Sequence, residues 1–125
     1  MQKEYRLDYD VIIKSVESIL KILSDNKTGF PNSKAKKDTV ALAKKMREAT
    51  TDVYIGEKTV GINIWAEVLY GDRKYQENDD SRENIDCAVS FLRRDCEEAQ
   101  GHAEHVKNTG NATSKLTFLV RWLIC

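Results

Sequence analysis

The most enzyme-like feature of the sequence is a run of acidic residues between positions 77 and 86. Glu83 and Asp86 are three residues apart, so on a helix both carboxylates face the same way. With Glu67 from the preceding segment they could share a Mg²⁺ ion, as a Mg²⁺-dependent nucleotide hydrolase of the all-α type would require. A second carboxylate pair at helical spacing is missing, however, and acidic residues in a first helical turn also complement the helix dipole. The hydrolase, with Mg²⁺ as its cofactor, is therefore the alternative hypothesis.

A second set of residues could bind an anion. Four cations are candidates for a phosphate ligand: Lys34, Lys37, Arg93 and Arg94. The two lysines follow a predicted helix start, where free N–H groups favour anions, but no glycine-rich phosphate loop accompanies them. No aromatic residues alternate with the lysines, so we do not expect nucleic acid as a partner. An Arg94–Glu98 pair one helical turn apart explains one arginine without any ligand. A binder of a phosphorylated small molecule or nucleotide is the third hypothesis.

The histidines and cysteines do not complete a catalytic or metal site. Glu98, His102 and His105 fall on one flank of a predicted helix, but a transition-metal site needs three or four ligands and no second cluster exists. The pattern indicates that they are exposed polar residues. Cys96 falls on an apolar stripe and is expected in the core. The odd number of cysteines, three, favours reduced thiols in a cytosol.

Composition is that of an ordinary globular chain. With 125 residues the sequence has the size of one domain, spanning 1–125. Its 20 basic and 20 acidic residues cancel, yet residues 1–50 carry a net charge of +4, residues 51–100 of −6 and residues 101–125 of +2. Such blocks of charge suit an oriented partner. No stretch has the apolar length of a membrane span, and the first ten residues contain five charges rather than a secretory signal. We expect a cytoplasmic protein without membrane contact.

Apolar periodicity predicts the elements that would position these residues. Helices are predicted over 8–24, with Asp8 or Asp10 as the N-cap, and over about 34–49, with Ser33 as the N-cap. The second helix is expected to place Val40, Ala43 and Met46 in the core. A third helix is favoured over 60–70, with a short β-hairpin over 53–64 as the alternative, because Val60, Ile62 and Ile64 alternate as in a strand. A long helix of about 25 residues begins at Asp80 or Ser81. These elements indicate an all-α bundle of four or five helices.

The last ten residues, LTFLVRWLIC, contain a single charge. A helix over about 113–124 would place its leucines on one side and Phe118 and Trp122 together on another. A helix that is apolar nearly all round belongs in a core or an interface. We therefore predict that Phe118, Arg121 and Trp122 lie at a subunit interface of a homo-oligomer.

These observations favour a non-catalytic function. An apolar core is predicted, the charge is divided into blocks, and no catalytic constellation is complete. The leading hypothesis is a binding module, of the class of small inhibitors, adaptors or immunity-type proteins. It would act by occupying a protein partner or a small anionic ligand, without a cofactor.

Overall fold

The computed structural model describes residues 4–71 and 79–110, apart from the side chains of residues 79–83. Four helices account for most of them: α1 (Tyr9–Asp25), α2 (Ser33–Glu48), α3 (Val53–Tyr70) and α4 (Asp79–Thr109). Within the described ranges the only β-type pairing is an isolated bridge between Leu7 and Thr50. The predicted all-α fold is confirmed.

The first helix agrees closely with its prediction. The Asp8 side chain accepts a hydrogen bond from the Val11 amide at 3.4 Å and caps α1. The helix buries four apolar residues that recur at three- and four-residue spacing: Ile12, Val16, Ile19 and Leu23. This one-sided pattern is what fixes α1 against the rest of the bundle.

The second helix has a different N-cap from the one predicted. Asn32, rather than Ser33, accepts a hydrogen bond from the Ala35 amide, at 3.0 Å. Asn32 is held there because its own amide donates to the Tyr70 carbonyl at 2.8 Å and its side chain donates to Asn26 at 2.8 Å. Either residue type is a good cap, and the long-range contact with the end of α3 decides between them.

The buried face of α2 is also rotated relative to its prediction. Ala43 and Met46 are buried as expected, but Val40 is exposed, and Thr39 takes the inward position beside it. Apolar periodicity cannot predict that a threonine lies in the interior, so it favoured Val40 rather than Thr39 for this position.

The third helix begins much earlier than predicted. It starts at Val53, so the hairpin alternative over 53–64 is wrong and the helix favoured over 60–70 is extended by two turns. Asp52 caps it by accepting a hydrogen bond from the Ile55 amide at 3.0 Å. The β-branched and aromatic residues at 53–55 resemble a strand by propensity, but packing on α2 and α4 outweighs propensity. Gly71 ends the helix, its amide donating to the Glu67 carbonyl.

The fourth helix has 31 residues and begins at Asp79. Its length of about 46 Å, at 1.5 Å per residue, exceeds that of the other three helices. The apolar stripe on which Cys96 was predicted to lie runs along α4, and Val89 in it is partly buried. Its other members are buried: Ile85, Ala88, Leu92, Cys96, Ala99, Ala103 and Val106. Cys96 is therefore a core residue, as expected.

The helices form a ring in which neighbours pack along the chain order and α1 closes on α4. This arrangement puts α2 diagonally opposite α4. Because Asp52 at the start of α3 contacts His102 near the end of α4, those two helices run antiparallel. None of the helices in the described ranges combines the length and the apolarity that crossing a membrane requires.

Candidate functional site

A buried ionisable pair lies where the start of α3 meets α4. His102 Nε2 lies 2.8 Å from Asp52 Oδ2, and both side chains are about 6% exposed. The Tyr54 ring packs on the imidazole, with centroids 4.9 Å apart. Because α4 presents His102 on the same side as Ala99 and Ala103, the imidazole points into the bundle. The expectation that this histidine is exposed is wrong, since Asp52 gives it a buried partner.

The N-terminal segment completes this cluster. Tyr5 donates its hydroxyl hydrogen to Asp52 Oδ2 at 2.5 Å. The following residue, Arg6, accepts from the Thr51 amide at 2.9 Å and from the Thr50 hydroxyl at 2.8 Å. These bonds fasten the segment before α1 onto the connection between α2 and α3. We refer to Tyr5, Asp52 and His102 as the Asp52 cluster.

The electrostatics of the Asp52 cluster follow from its geometry. Burial by itself raises the pKa of Asp52, but hydrogen bonds from His102, Tyr5 and the Ile55 amide outweigh it, so the pKa lies below its ordinary value. Burial and the bond to Asp52 raise the pKa of the Tyr5 hydroxyl. The carboxylate is thus stabilised in its charged form.

This arrangement is better suited to holding the fold than to catalysis. Both carboxylate oxygens of Asp52 already accept hydrogen bonds, from Ile55 on one side and from Tyr5 and His102 on the other. A general base must instead reach the proton that it abstracts from a substrate. The Asp52 cluster therefore joins three distant parts of the chain.

A second charged group lies on the seam between α3 and α4. Glu98 accepts from the Tyr54 hydroxyl at 3.0 Å, from Lys58 at 3.3 Å and from Arg94 at 3.0 Å. Burial acts to raise the pKa of Glu98, but these donors lower it overall. Asp95, 3.8 Å from Lys58, has a raised pKa because burial and the Glu98 charge outweigh that lysine. The seam thus contains one carboxylate whose pKa is raised, Asp95, and one whose pKa is lowered, Glu98.

At this seam the Asp95 side chain packs against α3 at a glycine. A Cβ atom on Gly61 would collide with the Asp95 carboxylate. The Trp65 indole one turn further along donates a hydrogen bond to Asp95 and stacks on Phe91, with ring centroids 5.0 Å apart. Charged and aromatic contacts therefore alternate along the seam.

The outer face of α3 is unusually apolar. Val53, Val60 and Ile64 fall within about 40° of one another around the helix, opposite the buried Ile55 and Ile62. Their exposed fractions are 71%, 52% and 53%. A helix that is apolar on opposite faces usually buries both of them.

Phe91 extends this exposed apolar face on the side of α4. Its ring is 40% exposed and stacks on Trp65, the residue that follows Ile64. We define the α3 surface as the group formed by Val53, Val60, Ile64 and Phe91. It contains four of the seven exposed large apolar side chains among the described residues.

The structure does not bring the four predicted phosphate-binding cations together. Lys34 and Lys37 lie on α2, and Arg93 and Arg94 on α4, which is diagonally opposite. Lys34 forms an exposed ion pair with Asp38 at 2.8 Å. Arg94 forms the predicted pair with Glu98. The lysine and arginine pairs therefore belong to separate surfaces.

The predicted Mg²⁺ ligands are only partly visible. Glu67 lies near the end of α3, where it forms an ion pair with Lys36 of α2. Asp86 is exposed near the start of α4, at the same end of the bundle, whereas the Glu83 side chain lies outside the described part. No group of three His, Cys, Asp or Glu side chains in the described part of the chain could hold a metal ion.

The predicted interface residues Phe118, Arg121 and Trp122 also lie outside the described residues, as does the helix predicted over 113–124. Sequence reasoning missed the Asp52 cluster. Asp52 stands three residues before Ile55, which is the spacing of an N-cap to the amide that it accepts from. That signal was available but was overlooked because the helix was placed from residue 60 onwards.

Comparison of this sequence and structure with protein-family models, with curated proteins and with solved structures gives no match.

Proposed function

We propose that this protein is a non-catalytic interaction module that binds a helix of a protein partner through the α3 surface. The exposed apolar face of α3 carries the proposal. Isolated exposed apolar residues are common, but three on one face of a helix that is also apolar inside favour an interaction site.

The dimensions of the α3 surface suit a helical ligand. Val53 and Ile64 are separated by about 16 Å along the axis, which is the length of three helical turns. An amphipathic helix recognises such a surface with apolar anchors at three- and four-residue spacing. The exposed Glu57 lies on the same face of α3, so a partner with basic residues beside its apolar anchors would be favoured.

Binding to a set of amphipathic model peptides tests this proposal. Peptides with leucine anchors and either lysine or glutamate flanks would be titrated by fluorescence anisotropy. The lysine-flanked peptides should bind to the wild-type protein. The substitutions Val60→Asp/Ile64→Asp should lower the affinity for these peptides more than tenfold, because residues at the centre of an interface contribute most of the binding energy. Phe30→Asp is the matched control: Phe30 is 57% exposed but lies outside the α3 surface. Equal binding by all three proteins would refute the proposal.

The two other hypotheses have distinct signatures. Turnover of a nucleotide with Mg²⁺ that is lost in Glu83→Ala would establish the hydrolase. A thermal shift with phosphorylated ligands that is lost in Lys34→Ala/Lys37→Ala would establish the anion binder. The separation of the lysines from the arginines and the pairing of Glu67 with Lys36 make us rank both below the interaction module.

The proposed module is a cytoplasmic homo-oligomer. Among the described residues Cys87 and Cys96 are free thiols, which supports a reducing compartment. The aromatic pair Phe118 and Trp122 supports self-association. Light scattering of Phe118→Ala/Trp122→Ala tests this part: the variant should be a smaller species with an unchanged helical signal. A monomeric wild-type protein at tens of micromolar would overturn it.

A further inference from the structure

We infer that the partner helix recognised by the α3 surface carries acidic residues on its flank toward α2 and a basic residue on its flank toward α4. This inference rests on the proposed helix-binding role of the α3 surface and specifies the chemistry of the partner. It follows from the unequal charges on the two sides of that surface.

Three exposed cations form a row on the side of α2 that adjoins α3: Lys37, Lys44 and Arg47, which we call the α2 ridge. Lys37 and Val40 line a cavity between α2 and α3, so this side of α2 is directed toward the α3 surface. Lys44 stands four residues after Val40 and Arg47 seven residues after it, and both therefore share its side of the helix. The α2 ridge thus borders the α3 surface.

The α2 ridge extends along nearly the whole α3 surface. The helices α2 and α3 run antiparallel, because Lys36 near the start of α2 pairs with Glu67 near the end of α3. Arg47 is consequently near the level of the start of α3, and Lys37 is near the level of Glu67. The ridge is about 15 Å long, against about 16 Å between Val53 and Ile64. A helix bound on the α3 surface would therefore have the ridge beside it over its full contact.

The cations of the α2 ridge retain charge for a partner. Lys44 has a long contact of 3.9 Å with Glu48, in which both side chains are mostly exposed, and such a pair contributes little. Lys37 and Arg47 form no ion pair with any residue of the described part of the chain. The side of the α3 surface toward α2 is therefore positive.

The opposite side of the α3 surface is not positive. Lys58 and Arg94, which lie there, are both paired with Glu98. Glu57 is exposed and stands one turn before Gly61, the glycine that meets the Asp95 side chain of α4, so Glu57 lies toward α4. A bound helix therefore meets cations on one flank and a carboxylate on the other, and opposite charges on its own flanks complement both.

One acidic side chain of the partner has a place at the end of the α3 surface. A cavity of about 520 Å³ opens between α2 and α3 one turn beyond Ile64, and Val40, Lys37 and Glu67 are among the residues that line it. Glu67 is already paired with Lys36. A glutamate of the partner could place its methylene groups on Val40 and its carboxylate at Lys37.

Peptides of identical composition test the inference. One leucine-anchored peptide has its glutamates on one flank and its lysines on the other, and its control has both residue types mixed on the two flanks. Fluorescence anisotropy should show that the wild-type protein binds the split-charge peptide about fivefold more tightly than the control at about 50 mM salt. The advantage should disappear at about 500 mM salt, because exposed charges are screened. Equal affinities at low salt would overturn the inference.

Charge reversal on the protein locates the effect. Lys44→Glu/Arg47→Glu should lower the affinity for the split-charge peptide about tenfold, because two attractions become repulsions. Lys14→Glu/Lys21→Glu is the matched control, since it changes the net charge equally on α1, which is diagonally opposite α3. Circular dichroism should show the same helical signal for both variants.

The outcomes separate this inference from the proposed function. If the split-charge peptide is lost in Val60→Asp/Ile64→Asp but binds Lys44→Glu/Arg47→Glu and Lys14→Glu/Lys21→Glu equally, the inference is wrong and the proposed function stands. If no leucine-anchored peptide of any charge pattern binds the wild-type protein, the proposed function fails and the inference fails with it.

Discussion

His102 Nε2 lies 2.8 Å from Asp52 Oδ2, so the residue that caps α3 is also the partner of a buried imidazole on α4. One carboxylate therefore performs two tasks. Its Oδ1 atom satisfies the Ile55 amide at the start of α3, and its Oδ2 atom accepts from His102 and Tyr5. Removing it leaves three polar groups without their partner, and the cost of that loss can be measured.

We predict that Asp52→Ala lowers the free energy of unfolding by about 3 kcal/mol or more, because each hydrogen bond to a buried carboxylate is worth about 1.5–3 kcal/mol and a lost cap costs about 1 kcal/mol. Asp8→Ala is the matched control, since Asp8 caps α1 at an exposed site and should cost about 1 kcal/mol. Urea denaturation followed by circular dichroism gives both values. Equal losses in the two variants would show that the contact with His102 contributes nothing.

The acid dependence of stability should contain a contribution from Asp52. Its pKa is lowered in the folded state, so the stabilisation is complete above the ordinary aspartate value of about 4 and is lost as the pH falls through the lower folded value. Asp52→Asn, which keeps an acceptor for the Ile55 amide, should flatten the stability curve below about pH 4. Unfolding free energies measured between pH 2 and 7 test this prediction, and a curve parallel to the wild type would contradict it.

Asp95 should contribute to the acid dependence with the opposite sign. Its pKa is raised in the folded state, so the native protein binds a proton at a higher pH than the unfolded chain does. Its contribution therefore becomes more favourable as the pH falls. Asp95→Asn should make the loss of stability in acid steeper than in the wild type, in the same titration. A shallower curve would mean that Lys58 outweighs burial at this site.

Two glycines of α3 allow a matched comparison, because Gly61 lies against the Asp95 side chain of α4 and Gly56 does not. Gly61→Ala should destabilise the protein, since the new methyl group would collide with the Asp95 carboxylate on the neighbouring helix. Gly56→Ala should stabilise it by about 0.5–1 kcal/mol, because a Cβ there meets nothing within 4 Å and alanine favours the helix. Thermal denaturation of both variants measures the difference. A stabilising Gly61→Ala would show that the seam between the helices is loose.

The two described thiols should differ sharply in reactivity. Cys96 is fully buried, and burial together with the charges of Asp95 and Glu97 raises its pKa to about 12. Cys87 is exposed on the same helix. In a Cys125→Ser protein, a disulfide reagent should modify Cys87 in the native state and Cys96 only after unfolding, because the thiolate is the reactive form. Mass spectrometry of the native protein should therefore show a single adduct, and two adducts would mean that the core around Cys96 opens readily.

Apolar periodicity predicted the parts of the fold that depend on one helix at a time. The stripe that includes Leu92 and Cys96 and the buried face of α1 could be located because a helix repeats every 3.6 residues. The start of α3 could not, because Val53, Tyr54 and Ile55 favour a strand locally and become helical through contacts with α2 and α4. Where local preference and packing disagree, a single sequence shows only the former.

The candidate sites were harder to predict for a related reason. Asp52 and His102 are separated by 50 residues, and the local sequence around either residue does not predict a contact with the other. A polar residue placed on a helix flank has the same local signature whether it is solvated or paired in the interior. The α3 surface was not predicted either. A helix was favoured over 60–70, but the alternation of Val60, Ile62 and Ile64 was interpreted as support for the alternative hairpin rather than as a sign of two apolar helix faces.

The Asp52 cluster also bears on the kinetics of folding. Its two main hydrogen bonds join residues 47 and 50 positions apart, while most contacts within a helical bundle are local and form quickly. Closing loops of that length has an entropic cost that is recovered only once the helices have packed. The Asp52–His102 contact should therefore form after the rate-limiting step, so that its loss accelerates unfolding and leaves the folding rate nearly unchanged. The cluster would in that case determine the lifetime of the folded state, through the unfolding rate, and would have little effect on the folding rate.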